Sequence, residues 1–132
     1  MKHCKKILVV DDDEAIRESV SYLLEIENYK VLQAKDGLDA IDLLLSLPEA
    51  ELPGLIILDM MMPRLDGQGF LKMIESINYS ILSEIPIVIA SANANFITGA
   101  SSFAKIKKPF EIKVLLDLAH QFCGDPVRGN SF

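Results

Sequence analysis

Apolar and polar positions along this chain follow two alternating rhythms. Ile7-Leu8-Val9-Val10, Leu55-Ile56-Ile57-Leu58 and Ile87-Val88-Ile89-Ala90 are unbroken β-branched and aliphatic runs. Such runs mark strands buried on both faces. Tyr29–Ala34 offers a further strand through Val31 and Leu32, and Phe103–Lys107 a fifth. Between them the apolar residues recur at helical spacing: Ile16, Val20, Leu23 and Leu24; Leu38, Ile41, Leu44 and Leu45; Phe70, Leu71, Ile74 and Ile77; Ile112, Leu115, Leu116, Ala119 and Phe122. These positions predict amphipathic helices. Asp36-Gly37 and Asp66-Gly67 read as turn and cap residues, Pro48 and Pro53 bracket a loop, and Gly124-Asp125-Pro126 stops the last helix. Alternating strands and helices predict an α/β fold with a doubly wound parallel sheet and helices on both faces.

The length of 132 residues suits one compact domain, read here as residues 1–124 followed by a C-terminal tail over 125–132. Half the residues are hydrophobic, yet no apolar run approaches the roughly 18 residues of a membrane span. Ile7–Val10 runs directly into Asp11, Asp12, Asp13 and Glu14, so the h-region of a secretory leader is missing and a cytoplasmic location is expected. Cys4 and Cys123 form no CxxC pair and lie near opposite ends, which predicts reduced thiols, without a disulfide or a bound metal. A formal net charge of −6 argues against a nucleic-acid surface. No second domain is expected.

Chemistry concentrates at strand ends. Asp11-Asp12 follows the first apolar run, Asp59 the third, and Lys108-Pro109 the fifth strand. In an open parallel sheet those ends share one edge. Unit charges 4 Å apart interact by about 4 kcal/mol at an effective dielectric near 20. Three carboxylates together therefore need a cation, and the set suits a divalent metal and a phosphoryl group. An Asp pair in this position can instead cap the next helix, but Asp13 and Glu14 are available for that. His3 and His120 have no partner at ligand spacing, and Met60, Met61, Met62 and Met73 read as packing residues.

Ile7-Leu8-Val9-Val10-Asp11-Asp12, Leu58-Asp59-Met60-Met61-Met62-Pro63, Asp66-Gly67, Ala90-Ser91-Ala92 and Lys108-Pro109-Phe110 together resemble the signature set of response-regulator receiver domains, over about Lys6 to Phe122. The resemblance implies a flavodoxin-like five-stranded sheet in order 2-1-3-4-5 and a phosphoaspartate switch in a two-component phosphorelay. It implies Asp59 as the phosphoacceptor, and Asp11, Asp12, Asp59 and the Met61 backbone carbonyl as Mg²⁺ ligands. It further implies Ser91 and Lys108 as phosphoryl-binding groups and a cis bond before Pro109. The partners it implies are a sensor histidine kinase or histidine phosphotransfer protein and a downstream protein. Neither nucleic acid nor membrane is expected as a partner, and the receiver is of the stand-alone kind with no substrate to turn over. Phosphatases of the haloacid dehalogenase type also use an aspartate nucleophile, but they need a second Asp where this chain has Met61. A degenerate receiver usually lacks an acidic or lysine position, and here all are present.

Two departures from the family stand out. The resemblance implies that the positions two beyond Asp59 and two beyond Ser91 border the path of attacking water; here they are Met61 and Asn93, which predicts slow self-dephosphorylation because Met is a poor hydrogen-bonding group. Only sixteen residues separate Ser91 from Lys108, and Asn93–Ser102 is rich in poor helix formers. A short or irregular fourth helix is therefore predicted. Lys105 occupies the usual switch-aromatic position, with Phe103 two residues earlier, so signalling is expected to use a surface other than the common dimer face.

Overall fold

The computed structural model of the chain describes residues 3–4, 6–62, 64–77, 80–91, 104–108 and 111–126. Its elements run β1 (His3–Cys4), β2 (Ile7–Val10), α1 (Glu14–Ile26), β3 (Val31–Ala34), α2 (Gly37–Ser46), β4 (Leu55–Asp59), α3 (Gly67–Ser76), α4 (Ser80–Ser83), β5 (Ile87–Ser91), β6 (Ala104–Lys107), α5 (Ile112–Phe122) and β7 (Asp125–Pro126). The main sheet is β3-β2-β4-β5-β6, parallel throughout. Numbered by its own strands, that is the expected order 2-1-3-4-5.

Alternation along each strand divides the core in two. Leu8, Val10, Ile56, Leu58, Ile87 and Ile89 pack with Ile41 and Leu44 of α2 and with Phe70 and Ile74 of α3. Ile7, Val9, Leu55, Ile57, Val88 and Ala90 pack with Val20 and Leu24 of α1 and with Leu115 and Ala119 of α5. Each fully buried aliphatic side chain contributes about 1.5–3 kcal/mol. Two filled layers therefore hold the three central strands rigid, and the residues at their ends inherit that rigidity. The edge strand β3 keeps Gln33 exposed, which explains the brevity of its apolar signal.

Aspartates start three of the helices. Asp13 accepts from Ile16 N–H at 3.1 Å, Asp36 from Asp39 N–H at 2.9 Å and Asp66 from Gly69 N–H at 2.8 Å. The cap reading of Asp36 and Asp66 holds, and Asp13 takes the role that would otherwise occupy Asp11 or Asp12. The single turn α4 before β5 was not expected. The segment 92–103, with the predicted irregular helix, Asn93 and Phe103, lies outside the described residues.

The opposite edge of the sheet corrects the reading of the cysteines. Cys4 and Cys123 form a disulfide, with Cα atoms 4.7 Å apart and a sequence separation of 119. Helix α5 returns its C-terminal end to the edge where the chain enters the sheet, and β1 pairs in parallel with β7 there, His3 with Asp125 and Cys4 with Pro126. Linear separation concealed this proximity. Asp125–Pro126, the start of the stretch assigned to the tail, is thus paired, and residues 127–132 lie outside the described set. Buried Tyr29 closes the same corner, donating its hydroxyl to the Gly124 carbonyl at 2.9 Å. Burial, followed by the charges of Asp125 and Glu27, pushes the Tyr29 hydroxyl up to about 12, so it stays a donor at neutral pH. In a reducing compartment the closure would rest on that hydrogen bond and on packing.

A cross-link over so long a loop restricts the unfolded chain strongly, by roughly 4–5 kcal/mol in the chain-entropy account. We predict that a dithiol reductant, or Cys4→Ser, lowers unfolding stability by about 2–5 kcal/mol in urea titrations. Equal midpoints with and without reductant would show that the two sulfurs are not joined.

Candidate functional site

Every strand end named from the sequence arrives at one edge. Asp11 directly follows β2, Asp59 is the last residue of β4, Ser91 ends β5, and Lys108 follows β6. The in-register pairs Val10 with Leu58, Asp59 with Ala90 and Ser91 with Lys107 set these residues side by side. Two short backbone bonds lock the edge: Met60 N–H to Ala90 O at 3.1 Å and Lys108 N–H to Ser91 O at 2.8 Å.

Lys108 bridges the two buried carboxylates. Its Nζ lies 2.9 Å from Asp11 Oδ2 and 3.3 Å from Asp59 Oδ1. Asp11 and Asp59 are buried, whereas Asp12 is exposed. One carboxylate oxygen from each of Asp11, Asp12 and Asp59 lies within 4.8 Å of the others. This donor set fits a hard divalent cation, because Mg²⁺ takes one or two carboxylates and completes its shell with water or phosphate oxygens. Asp12 sits on the solvent side, where such ligands enter.

The electrostatics favour added positive charge. Burial, then the neighbouring Asp11, pushes the Asp59 carboxyl up to about 6 despite the opposing pull of Lys108. Burial opposes the Lys108 ammonium, but its bonds to Asp11 and Asp59 outweigh that and raise its pKa. One lysine thus incompletely balances two buried acids.

Several supporting contacts had no sequence signal. Asp13 N–H donates to Asp11 Oδ1 at 3.0 Å, and Arg17 Nη1 donates to the Asp11 carbonyl at 2.9 Å while its Nε reaches Gln33 Oε1 at 3.1 Å. Met61 N–H approaches Asp59 Oδ1 at 3.4 Å, and the Met61 side chain is 73% exposed. The packing role read for Met61 therefore fails: only its main chain faces the pocket, because the chain turns outward directly after β4. Met60 does pack, buried in the layer beneath. Ser91 is buried at the pocket floor. Pro109 and the isomer of its preceding bond lie outside the described residues.

A doubly wound parallel sheet carries an acidic cluster and a lysine at its C-terminal edge, the arrangement that the sequence motifs anticipated. Comparison with known proteins gives the family: residues 7–120 match the response regulator receiver domain, and the chain belongs to it. It is 36% identical over 118 residues to the response regulator MprA of Mycolicibacterium vanbaalenii, covering 84% of this chain and 47% of that protein. The MprA of Mycobacterium avium gives the same figures. The chain spans about half the length of these curated relatives. Among solved structures, chemotaxis protein CheY4 of Vibrio cholerae superposes with a TM-score of 0.73 at 26% identity, covering 89% of this chain and 97% of that one. The receiver domain of the hybrid histidine kinase CckA gives 0.73 at 28%, covering 89% and 98%.

The raised Asp59 has a stability consequence. Its folded form holds the proton more tightly than the unfolded form, so its contribution is full below about pH 4 and is lost as pH climbs through about 6. In metal-free buffer Asp59→Asn should therefore be more stable than wild type at pH 7.5, by on the order of 2 kcal/mol, with the gain fading towards pH 4. Urea unfolding across that range checks this. An Asn variant less stable than wild type at pH 7.5 would contradict it.

Proposed function

We propose that this chain accepts a phosphoryl group on Asp59 from the phosphohistidine of a sensor histidine kinase or histidine phosphotransfer protein, and passes the signal to a downstream protein. The observation that carries this reading is the clustering of Asp11, Asp12 and Asp59 at the sheet edge, with Lys108 reaching both Asp11 and Asp59. Asp59 Oδ attacks phosphorus, the donor's N–P bond breaks, and the new O–P bond makes an acyl phosphate. In this reading Lys108 would shift from carboxylate to phosphoryl oxygens, and Ser91 would donate its hydroxyl to another. Asp11, Asp12, Asp59 and the Met61 carbonyl would hold Mg²⁺, which when bound supplies positive charge to the transferring group. No separate substrate is turned over.

The donor is expected to dock beside the pocket. Helix α1 begins at its rim and leaves Ile16, Tyr22, Leu23 and Ile26 exposed, an apolar strip that a helical partner could cover. Among the described residues no helix is long and apolar enough to cross a membrane. A kinase donor of this class places the chain in the cytoplasm.

Incubation with a small phosphodonor and Mg²⁺, read by intact mass, should give one base-labile phosphate per chain, and Asp59→Asn should abolish it. Labelling of that variant at the wild-type rate would sink the assignment. Asp12→Ala should weaken Mg²⁺ binding and labelling together. With an exposed Met61 beside the acceptor, we also expect the adduct to outlast several minutes, and its loss within seconds would count against that expectation.

A further inference from the structure

The loop leaving Asp59 makes a closed excursion. Met60 is tied to β5, and Gly67 N–H returns to Met60 O at 2.9 Å, which pins the base. Near the apex stands Arg64, one of only two non-glycine residues among those described with positive φ, at 62°. The left-handed region costs a non-glycine residue roughly 1–2 kcal/mol, and glycine would sit there without strain. The arginine brings a guanidinium that glycine lacks. Its Nε donates to Asp36 Oδ2 at 2.7 Å, and its Nη2 reaches Asp36 Oδ2 at 2.6 Å and Asp39 Oδ1 at 3.0 Å.

The receiving end is built for this contact. Asp36 is buried at the N-terminus of α2, where its other oxygen caps the helix through Asp39 N–H. Burial works against its charge, but that N–H and the Arg64 guanidinium outweigh it and hold the carboxyl below its usual range. Beside it, the loop lies directly on α2: a Cβ on Gly37 would meet Leu65 O at 2.7 Å. Loop and helix are thus in contact at adjacent points, one ionic and one steric.

We propose that Arg64 is a positioning residue for the phosphoacceptor pocket. By clamping the β4–α3 loop to the start of α2 through Asp36 and Asp39, it fixes the Met61 main chain beside Asp59. This rests on the reading that Asp59 and Met61 serve a Mg²⁺-dependent phosphoacceptor. The main-chain N–H of Met61 already approaches Asp59 Oδ1 at 3.4 Å, so a displaced loop would move both the proposed carbonyl ligand and this donor.

Charge alone predicts the opposite result, which makes the test sharp. Removing a cation near an acidic pocket should tighten Mg²⁺ by Coulomb attraction, whereas losing the clamp should weaken it. Arg64→Gly removes the guanidinium and the backbone strain together, so it should fold at least as well as Arg64→Ala. Mg²⁺ affinity is measured by calorimetry on the full chain, with the Met61 amide followed by NMR shift and hydrogen exchange. Both variants should bind Mg²⁺ about tenfold more weakly, at the lower end for groups that orient a ligand from outside the coordination shell. The Met61 amide should shift and exchange faster, and labelling by a small phosphodonor should recover at saturating Mg²⁺. Unchanged or tighter Mg²⁺ binding with an unmoved Met61 amide would overturn the role of Arg64, whatever the melting temperature does. Wild-type protein that binds no Mg²⁺ and takes no label would overturn the pocket reading itself, and this one with it.

Discussion

Two carboxylates that share one ammonium at a rigid sheet edge set the terms for the rest of the molecule. Asp11 and Asp59 are buried against each other, and Lys108 reaches both, at 2.9 and 3.3 Å. Such a cluster is expensive in low dielectric unless its geometry is held and its charge is nearly matched. The geometry comes from β2, β4 and β5, buried in all positions along their lengths. The charge is matched only in part: burial first, then the neighbouring Asp11, raises the Asp59 carboxyl despite Lys108. Two buried acids offset by one lysine, with Asp12 on the solvent side, make an acidic pocket open to solvent.

Six of the chain's aspartates fall into two populations that composition alone does not separate. Asp13, Asp36 and Asp66 hold backbone N–H groups at helix starts, whereas Asp11, Asp12 and Asp59 keep oxygens turned to a common point. The first group makes the second possible. Asp13 caps α1, and its own N–H steadies Asp11. Asp66 starts α3 at the point where the loop from Asp59 closes, and Asp36 receives Arg64 from that same loop. Structural and chemical carboxylates are therefore coupled through backbone segments of a few residues.

The far edge of the sheet is organised differently. There the disulfide, the β1–β7 pairing and the Tyr29 hydroxyl gather the two ends of the chain. Helix α5 spans from this closure to the neighbourhood of Lys108. Its buried Leu115 and Ala119 pack against the central strands, so the two edges are joined by one continuous packed layer.

The strands, the parallel sheet and its charged edge were legible in the sequence because they depend on local rules, whereas the strand order came only from the family resemblance. A strand buried on both faces must be an apolar run, a parallel sheet must deliver its strand ends to one edge, and a charged residue directly after such a run is conspicuous. Asp11, Asp59 and Lys108 could be named on those grounds, and Ser91 only through the resemblance that the order of the motifs carries. What tertiary structure decided were contacts between residues whose sequence neighbourhoods hold no mark of each other. Cys4 and Cys123 look like unrelated thiols until α5 folds back on β1. Arg64 looks like an ordinary loop cation until the loop settles on α2, 28 residues earlier at Asp36. Periodicity reports how each segment meets the core as a whole, whereas the pairing of one side chain with another depends on where two segments cross, and that is fixed only when all the layers are packed.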